Sequence, residues 1–206
     1  MHYRFAIIKR TFALVLLSGL LLPGCMGSGN TVRYYLVNPV DFSDVSNAPE
    51  KKLAIEILDL HVPQYLEHLH IAVRTGENSL QFSEFNQWGE NLRKNLMQTM
   101  VRNLAGLLST SDISTPLNRS SSTPDFQLEI HIDQFEKDSD GMVRLAARWQ
   151  LINAASGEPL GIRSADLTGR DHVPDRDYDR MVGEMKDLYG QLSRMIADDI
   201  VQAAGS

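Results

Sequence analysis

Apolar residues recur along this chain with two spacings, one of two residues and one of three to four, and the switches between them predict its elements. Residues 32–37 carry β-branched and aromatic side chains, with Tyr34 and Tyr35 on opposite faces, and predict a first strand. Residues 38–50 are polar and hold two prolines, as a loop does. Across 52–62, Leu53, Ile55 and Ile57 alternate with Ala54, Glu56 and Leu58. That mostly apolar content predicts a central strand covered on both sides and ended by Pro63. Further extended runs follow at 69–75 and, past the turn Gly76-Glu77-Asn78, at 79–82.

From Ser83, a residue suited to an N-cap, the spacing lengthens. Phe85, Trp88, Leu92, Leu96, Met100, Leu104 and Leu107 predict an amphipathic helix over 84–108, with Glu90, Arg93, Lys94, Gln98 and Arg102 on its solvated side. Residues 109–125 hold a short extended piece around Ile113 and a tract too polar to join a core. Period two returns at 126–135, where Phe126, Leu128, Ile130 and Ile132 alternate with Gln127, Glu129, His131 and Asp133. It continues at 142–152 through Val143, Leu145, Ala147, Trp149 and Leu151, after a hairpin turn at 137–141, and at 160–168. Past a charged loop at 171–177, the residues Met181, Val182, Met185, Leu188, Leu192, Met195, Ile196 and Ile200 mark a second long helix ending before Gly205. Strands, helix, strands, helix in that order predict an α/β fold, or its α+β relative, in which two helices pack on a mixed sheet containing a strand meander.

The first 24 residues follow neither pattern. Arg4, Lys9 and Arg10 precede an uncharged run, TFALVLLSGLLL, too short to span a bilayer, which needs about 20 residues. This is the layout of an export signal. Leu22-Pro23-Gly24-Cys25 follows and resembles the lipobox of bacterial lipoproteins, with Pro23 where a small or hydroxyl residue is usual. Cys25 is therefore the expected site of lipidation, and acyl chains contributing about 0.8 kcal/mol per buried CH₂ would make it a membrane anchor. Met26 follows where an Asp would signal inner-membrane retention, which favours the periplasmic face of the outer membrane. Residues 25–31 are Gly- and Ser-rich and predict a short tether, leaving 32–204 as one periplasmic domain.

Removal of the leader leaves 17 basic against 26 acidic side chains, a net charge near −9. That excess repels nucleic acid phosphates and anionic lipid headgroups and argues against polyanion binding, nucleic acid included, as a main function. A single cysteine cannot form an internal disulfide, so the fold depends on its apolar core.

The search for chemistry returns little. Glu129, His131 and Asp133 share one strand face, a spacing that can build a metal or acid/base site, but alternate polar residues are also what a solvated sheet face requires. His61, His68 and His70 cluster in sequence without a cysteine or a helical His pair to complete a zinc site. No nucleophile elbow or phosphate-binding glycine loop is present. No catalytic residue, metal or cofactor is expected beyond the covalent lipid on Cys25. The methionines Met181, Met185 and Met195 are expected in the core. Trp88 is expected there too, while Tyr34, Tyr35, Pro63 and Tyr65 are the expected contacts for a partner.

The ordered set Tyr34-Tyr35-Leu36, Val62-Pro63-Gln64-Tyr65-Leu66, Ile71-Ala72-Val73-Arg74, Glu84-Phe85-Asn86-Gln87-Trp88-Gly89-Glu90-Asn91-Leu92, Asn103-Leu104, Phe135-Glu136 and Ala147-Arg148-Trp149 resembles the ABC-type transport auxiliary lipoprotein family. The resemblance implies an anticodon-binding-like layout with helices on the faces of a mixed sheet. It also implies a non-enzymatic subunit of an MCE lipid-transport system, which docks a periplasmic MCE-domain protein at the outer membrane and supports membrane integrity. A homo-oligomer would suit such docking. A structural lipoprotein assembling another outer-membrane or cell-wall machine is the alternative expectation.

Overall fold

The computed structural model describes residues 31–42, 52–119 and 122–205; the leader, Cys25 and nearly all of the tether lie outside them. The compact unit beginning at Val32 is built on one mixed sheet of eight strands. Its spine is β6 (Phe126–Lys137), whose alternating apolar residues make one face and whose length lets it serve several neighbours. Antiparallel to it along one side runs β7 (Val143–Asn153), followed by the edge strand β8 (Pro159–Thr168).

On its other side the sheet forks. β2 (Ile55–His61) runs parallel to the first half of β6, from Ile55 against Phe126 to His61 against His131, and carries the short β5 (Ile113–Ser114) on its far side. β3 (His70–Gly76) meets the end of β6 with Val73 opposite Lys137. Beyond β3 come the antiparallel β4 (Ser79–Trp88) and the parallel β1 (Arg33–Tyr35).

Two helices, α1 (Leu92–Leu108) and α2 (Tyr178–Ala204), pack against each other and on the face lined by Leu128, Ile130, Phe135, Leu145 and Trp149. Phe135 stacks on Tyr189 of α2 at 6.0 Å, and the Trp149 indole donates to Asp199 of the same helix at 2.9 Å. The predicted α/β class and the strand, helix, strand, helix order are therefore the observed ones. The opposite face of β6 and β7 carries Glu129, His131, Asp133 and Arg148 toward solvent, so the helices cover one face there and not both.

Four local expectations are corrected. The first helix begins at Leu92, not at residue 84, because Asn91 caps it, its Oδ1 accepting the Lys94 amide at 3.1 Å. Ser83 does accept the amide three residues on, that of Asn86 at 3.1 Å, but there it closes a bulge inside β4. An N-cap and such a turn share this hydrogen bond, so the residue alone does not distinguish them. Trp88 consequently ends a strand, its amide donating to the Leu69 carbonyl at 2.8 Å, and is buried as expected.

β2 is covered on one side only. A bulge between Ile57 and Asp59 displaces Leu58 and returns Leu60 to the core, while Glu56, Asp59 and His61 face outward. Met195 is exposed on α2 because the buried stripe widens toward Tyr189, Ser193 and Ala197 instead. Finally, β1 ends at Tyr35 rather than at residue 37, and of the expected polar loop from residue 38 onward Phe42 joins Val37 in the core.

Candidate functional site

The last of these corrections defines the most unusual feature of the domain. After β1 the chain has no strand partner, yet its backbone is buried and must be satisfied. α1 supplies the partners from Asn95, Thr99 and Asn103, spaced four residues apart and therefore stacked on one side of the helix. Asn95 Oδ1 accepts the Val37 amide at 2.8 Å, the Thr99 hydroxyl donates to the Val37 carbonyl at 2.7 Å, and Asn103 Oδ1 accepts the Val40 amide at 3.0 Å. The result is a strap, residues 36–42, laid against both helices.

Asn103 links the strap to α2 as well. Its amide donates to Ser193 Oγ at 2.9 Å, Ser193 donates to the Tyr189 carbonyl at 2.8 Å, and the Tyr189 phenol donates to the Leu96 carbonyl at 2.9 Å. Burial raises the Tyr189 phenol pKa well above its ordinary value, keeping it a donor. Gly190 makes room on α2: a Cβ there would lie 2.6 Å from a Val40 methyl. The Arg194 guanidinium caps the Phe42 ring at 4.9 Å. Thus the segment that follows β1 is fastened into the helix layer through Val37, Val40 and Phe42.

The four expected partner contacts separate. Tyr34 is 67% exposed on the edge strand β1. Tyr35 is 8% exposed; its hydroxyl donates to Asn86 Oδ1 at 3.3 Å and its ring lies 6.4 Å from that of Tyr178. Pro63 precedes a 3-10 turn, Gln64–Glu67, that carries Tyr65 to the fork of the sheet. There the Tyr65 phenol donates to Glu136 Oε2 at 2.8 Å, and burial first, then that hydrogen bond, raises its pKa.

The spacing of β6 does not single out Glu136, because a bulge between Ile132 and Gln134 shifts the alternation by one residue and turns Phe135 instead toward the helices. Its side chain is fully buried and accepts from Arg74 Nε at 3.0 Å and Nη2 at 2.9 Å, Gln134 Nε2 at 3.1 Å and the Phe135 amide at 3.0 Å. One carboxylate therefore joins β3, β6 and the 3-10 turn at the point where β2 and β3 diverge.

The histidines take separate partners. His61 lies beside His131 with ring centroids 5.6 Å apart, His68 beside the Phe82 ring at 4.6 Å, and His70 Nδ1 is 2.6 Å from the Ser83 carbonyl. Asp133 is gripped by Arg148 through two contacts of 2.8 Å, which hold its carboxyl below the ordinary carboxylate range. Among the described residues no group of three His, Cys, Asp or Glu side chains could hold a metal ion. No helix among them is long and apolar enough to cross a membrane.

Residues 34–197 match the family described as the ABC-type transport auxiliary lipoprotein component. The chain is 24% identical over 188 residues to the intermembrane transport lipoprotein PqiC of Escherichia coli, covering 91% of this chain and 96% of that protein, and equally to PqiC of Shigella flexneri. Among solved structures, it is similar to a crystal structure of an uncharacterized protein, with TM-score 0.66 and 22% identity over 82% of this chain and 99% of the other. It is also similar to protein XCC0632 of Xanthomonas campestris, with TM-score 0.64 and 14% identity over 86% and 97%. These two likenesses establish a shared fold.

Proposed function

The chain belongs to the ABC-type transport auxiliary lipoprotein component family, and we propose on that footing that it is the outer-membrane-side subunit of a lipid-transport system. In this reading acylated Cys25 anchors it to the inner leaflet of the outer membrane. The domain docks a periplasmic MCE-domain protein, without catalysis of its own, and so supports membrane integrity. The observation that carries the reading is the near end-to-end correspondence with a lipoprotein described as acting in intermembrane transport. The strap adds a physical support: it fixes the anchor-proximal residues to the helices, as a subunit transmitting position from a membrane to a partner requires.

Affinity purification of the full-length protein from detergent-solubilised envelopes is expected to recover an MCE-domain protein. Recovery of other envelope complexes without it would refute the docking role.

A further inference from the structure

Eight large hydrophobic side chains are exposed among the described residues, and four of them, Tyr34, Leu36, Leu69 and Phe82, gather around one end of the β1, β4 and β3 branch. Backbone bonds and contacts of their neighbours place them near one another. The Leu36 side chain reaches to 3.4 Å of a Cβ position on Gly89, and Gly89 donates its amide to the Tyr35 carbonyl at 2.8 Å. The preceding Trp88 amide binds the Leu69 carbonyl, and His68, next to Leu69, packs on the Phe82 ring. Across the strands Tyr34 pairs with Gln87 and Gln87 with His70; two residues on along β3, past the bulge in β4, Ala72 pairs with Phe82. Tyr34 and Phe82 thus share a sheet face, with Leu36 beside Gly89 and Leu69 across from Trp88 at the end of these strands.

Four large apolar side chains grouped on a domain of net acidic charge make a candidate contact surface. We propose that it rests on the bilayer surface beside the acyl anchor, with Tyr34, Leu36, Leu69 and Phe82 at the boundary between headgroups and acyl chains. The proposal rests on the anchor reading of Cys25. Its support is where the chain outside the described residues ends: at residue 30, four residues before Tyr34, which itself stands nine residue steps from Cys25. Nine steps reach at most about 30 Å, so Tyr34, the first exposed aromatic after the anchor, stays within that distance of it, and the rest of the patch adjoins Tyr34. Aromatic and aliphatic side chains partition into that interfacial layer, and Tyr suits it because its ring is apolar and its hydroxyl wet. The other four exposed residues, Leu117, Leu160, Ile162 and Met195, lie on other elements and share none of these contacts.

The test uses the full lipidated protein reconstituted into vesicles of phosphatidylethanolamine and phosphatidylglycerol. Acylation consumes the chain's single cysteine, so Leu69→Cys, Phe82→Cys and, as the remote control, Ile162→Cys each offer one thiol for an environment-sensitive fluorophore. Co-flotation with vesicles reports the anchor. Labels at 69 and 82 are expected to be quenched severalfold more by lipid-borne quencher than by aqueous iodide, with the reverse at 162. Introducing Leu69→Asp should reduce lipid quenching at 82 while co-flotation persists. Flotation with labels at 69 and 82 as open to iodide as the one at 162 overturns the proposal and leaves the anchor standing. Shielding from iodide without lipid quenching overturns it in favour of a second protein copy. Failure to float overturns the anchor reading, and the patch's assignment with it.

Discussion

Glu136→Ala should be among the most damaging single changes in this domain, although no partner or substrate need touch the residue. The wild-type carboxylate is fully buried and accepts from Tyr65, Gln134, the Phe135 amide and two nitrogens of Arg74. Removing one member of a buried ion pair costs about 3–5 kcal/mol, because the other charge is left uncompensated. Arg74 remains 27% exposed, so water relieves part of that cost. Against this, the Phe135 amide and the Tyr65 hydroxyl lose their acceptor, each worth about 1–3 kcal/mol where water cannot replace it. The two corrections oppose each other, and the expected loss is about 3–4 kcal/mol. That is a large part of the 5–15 kcal/mol typical of a domain. Urea unfolding followed by tryptophan fluorescence measures it. Arg74→Met separates the pair from the rest: the double variant should be less destabilised than the sum of the singles, by roughly 1–3 kcal/mol. A loss below about 1 kcal/mol for Glu136→Ala, or additivity within about 0.5 kcal/mol, would show that the fork does not depend on this carboxylate.

Asn103→Ala should cost about 1–3 kcal/mol by orphaning the Val40 amide, and hydrogen exchange at Val40 should accelerate more than at the sheet's Ile130; equal acceleration at both would mean the strap is not a separate unit. Raised phenol pKa values at Tyr65 and Tyr189 carry a definite sign. Their contribution to stability is complete below the unfolded phenol value of about 10 and is lost as pH rises through the higher folded values. Urea midpoints should therefore fall between about pH 9 and pH 11, and Tyr65→Phe should reduce that fall; an unchanged slope in the variant would remove Tyr65 from the account.

The meander and α2 were legible in the sequence because each has a clean period and a local stop. The turn after β6 illustrates why: Asp138 accepts the amides of Asp140 and Met142 at 2.9 Å and the Arg144 Nε at 2.7 Å, all within a few residues. Where a polar residue acts through distant partners, the pattern misleads. Phe85 and Trp88 stand at helical spacing ahead of α1, yet β-pairing with β1 and β3 claims the segment, and only Asn91 marks the true start. Asn95, Thr99 and Asn103 are an extreme case: three polar residues in a row of four-residue steps suggest a solvated side, and nothing nearby reveals that residues 36–42 lie against it. The same holds for Glu136, whose partners Tyr65 and Arg74 are 71 and 62 residues away.

The two buried polar systems also divide the labour of the fold in a way that bears on anchoring. A three-residue edge strand such as β1 would be a weak attachment for a chain pulled from its N-terminal side, since short edges have few ladder bonds to lose. The strap relocates the attachment. By binding Val37 and Val40 to α1 and, through Asn103 and Ser193, to α2, it makes the longest helix and its neighbour share any load that enters at β1. The Glu136 hub lies elsewhere, in the sheet, and does not touch the strap. Damage at the fork should therefore lower global stability without freeing the strap selectively, whereas damage at Asn103 should loosen residues 36–42 first, which in the proposed anchored subunit would register as a change of orientation rather than as unfolding.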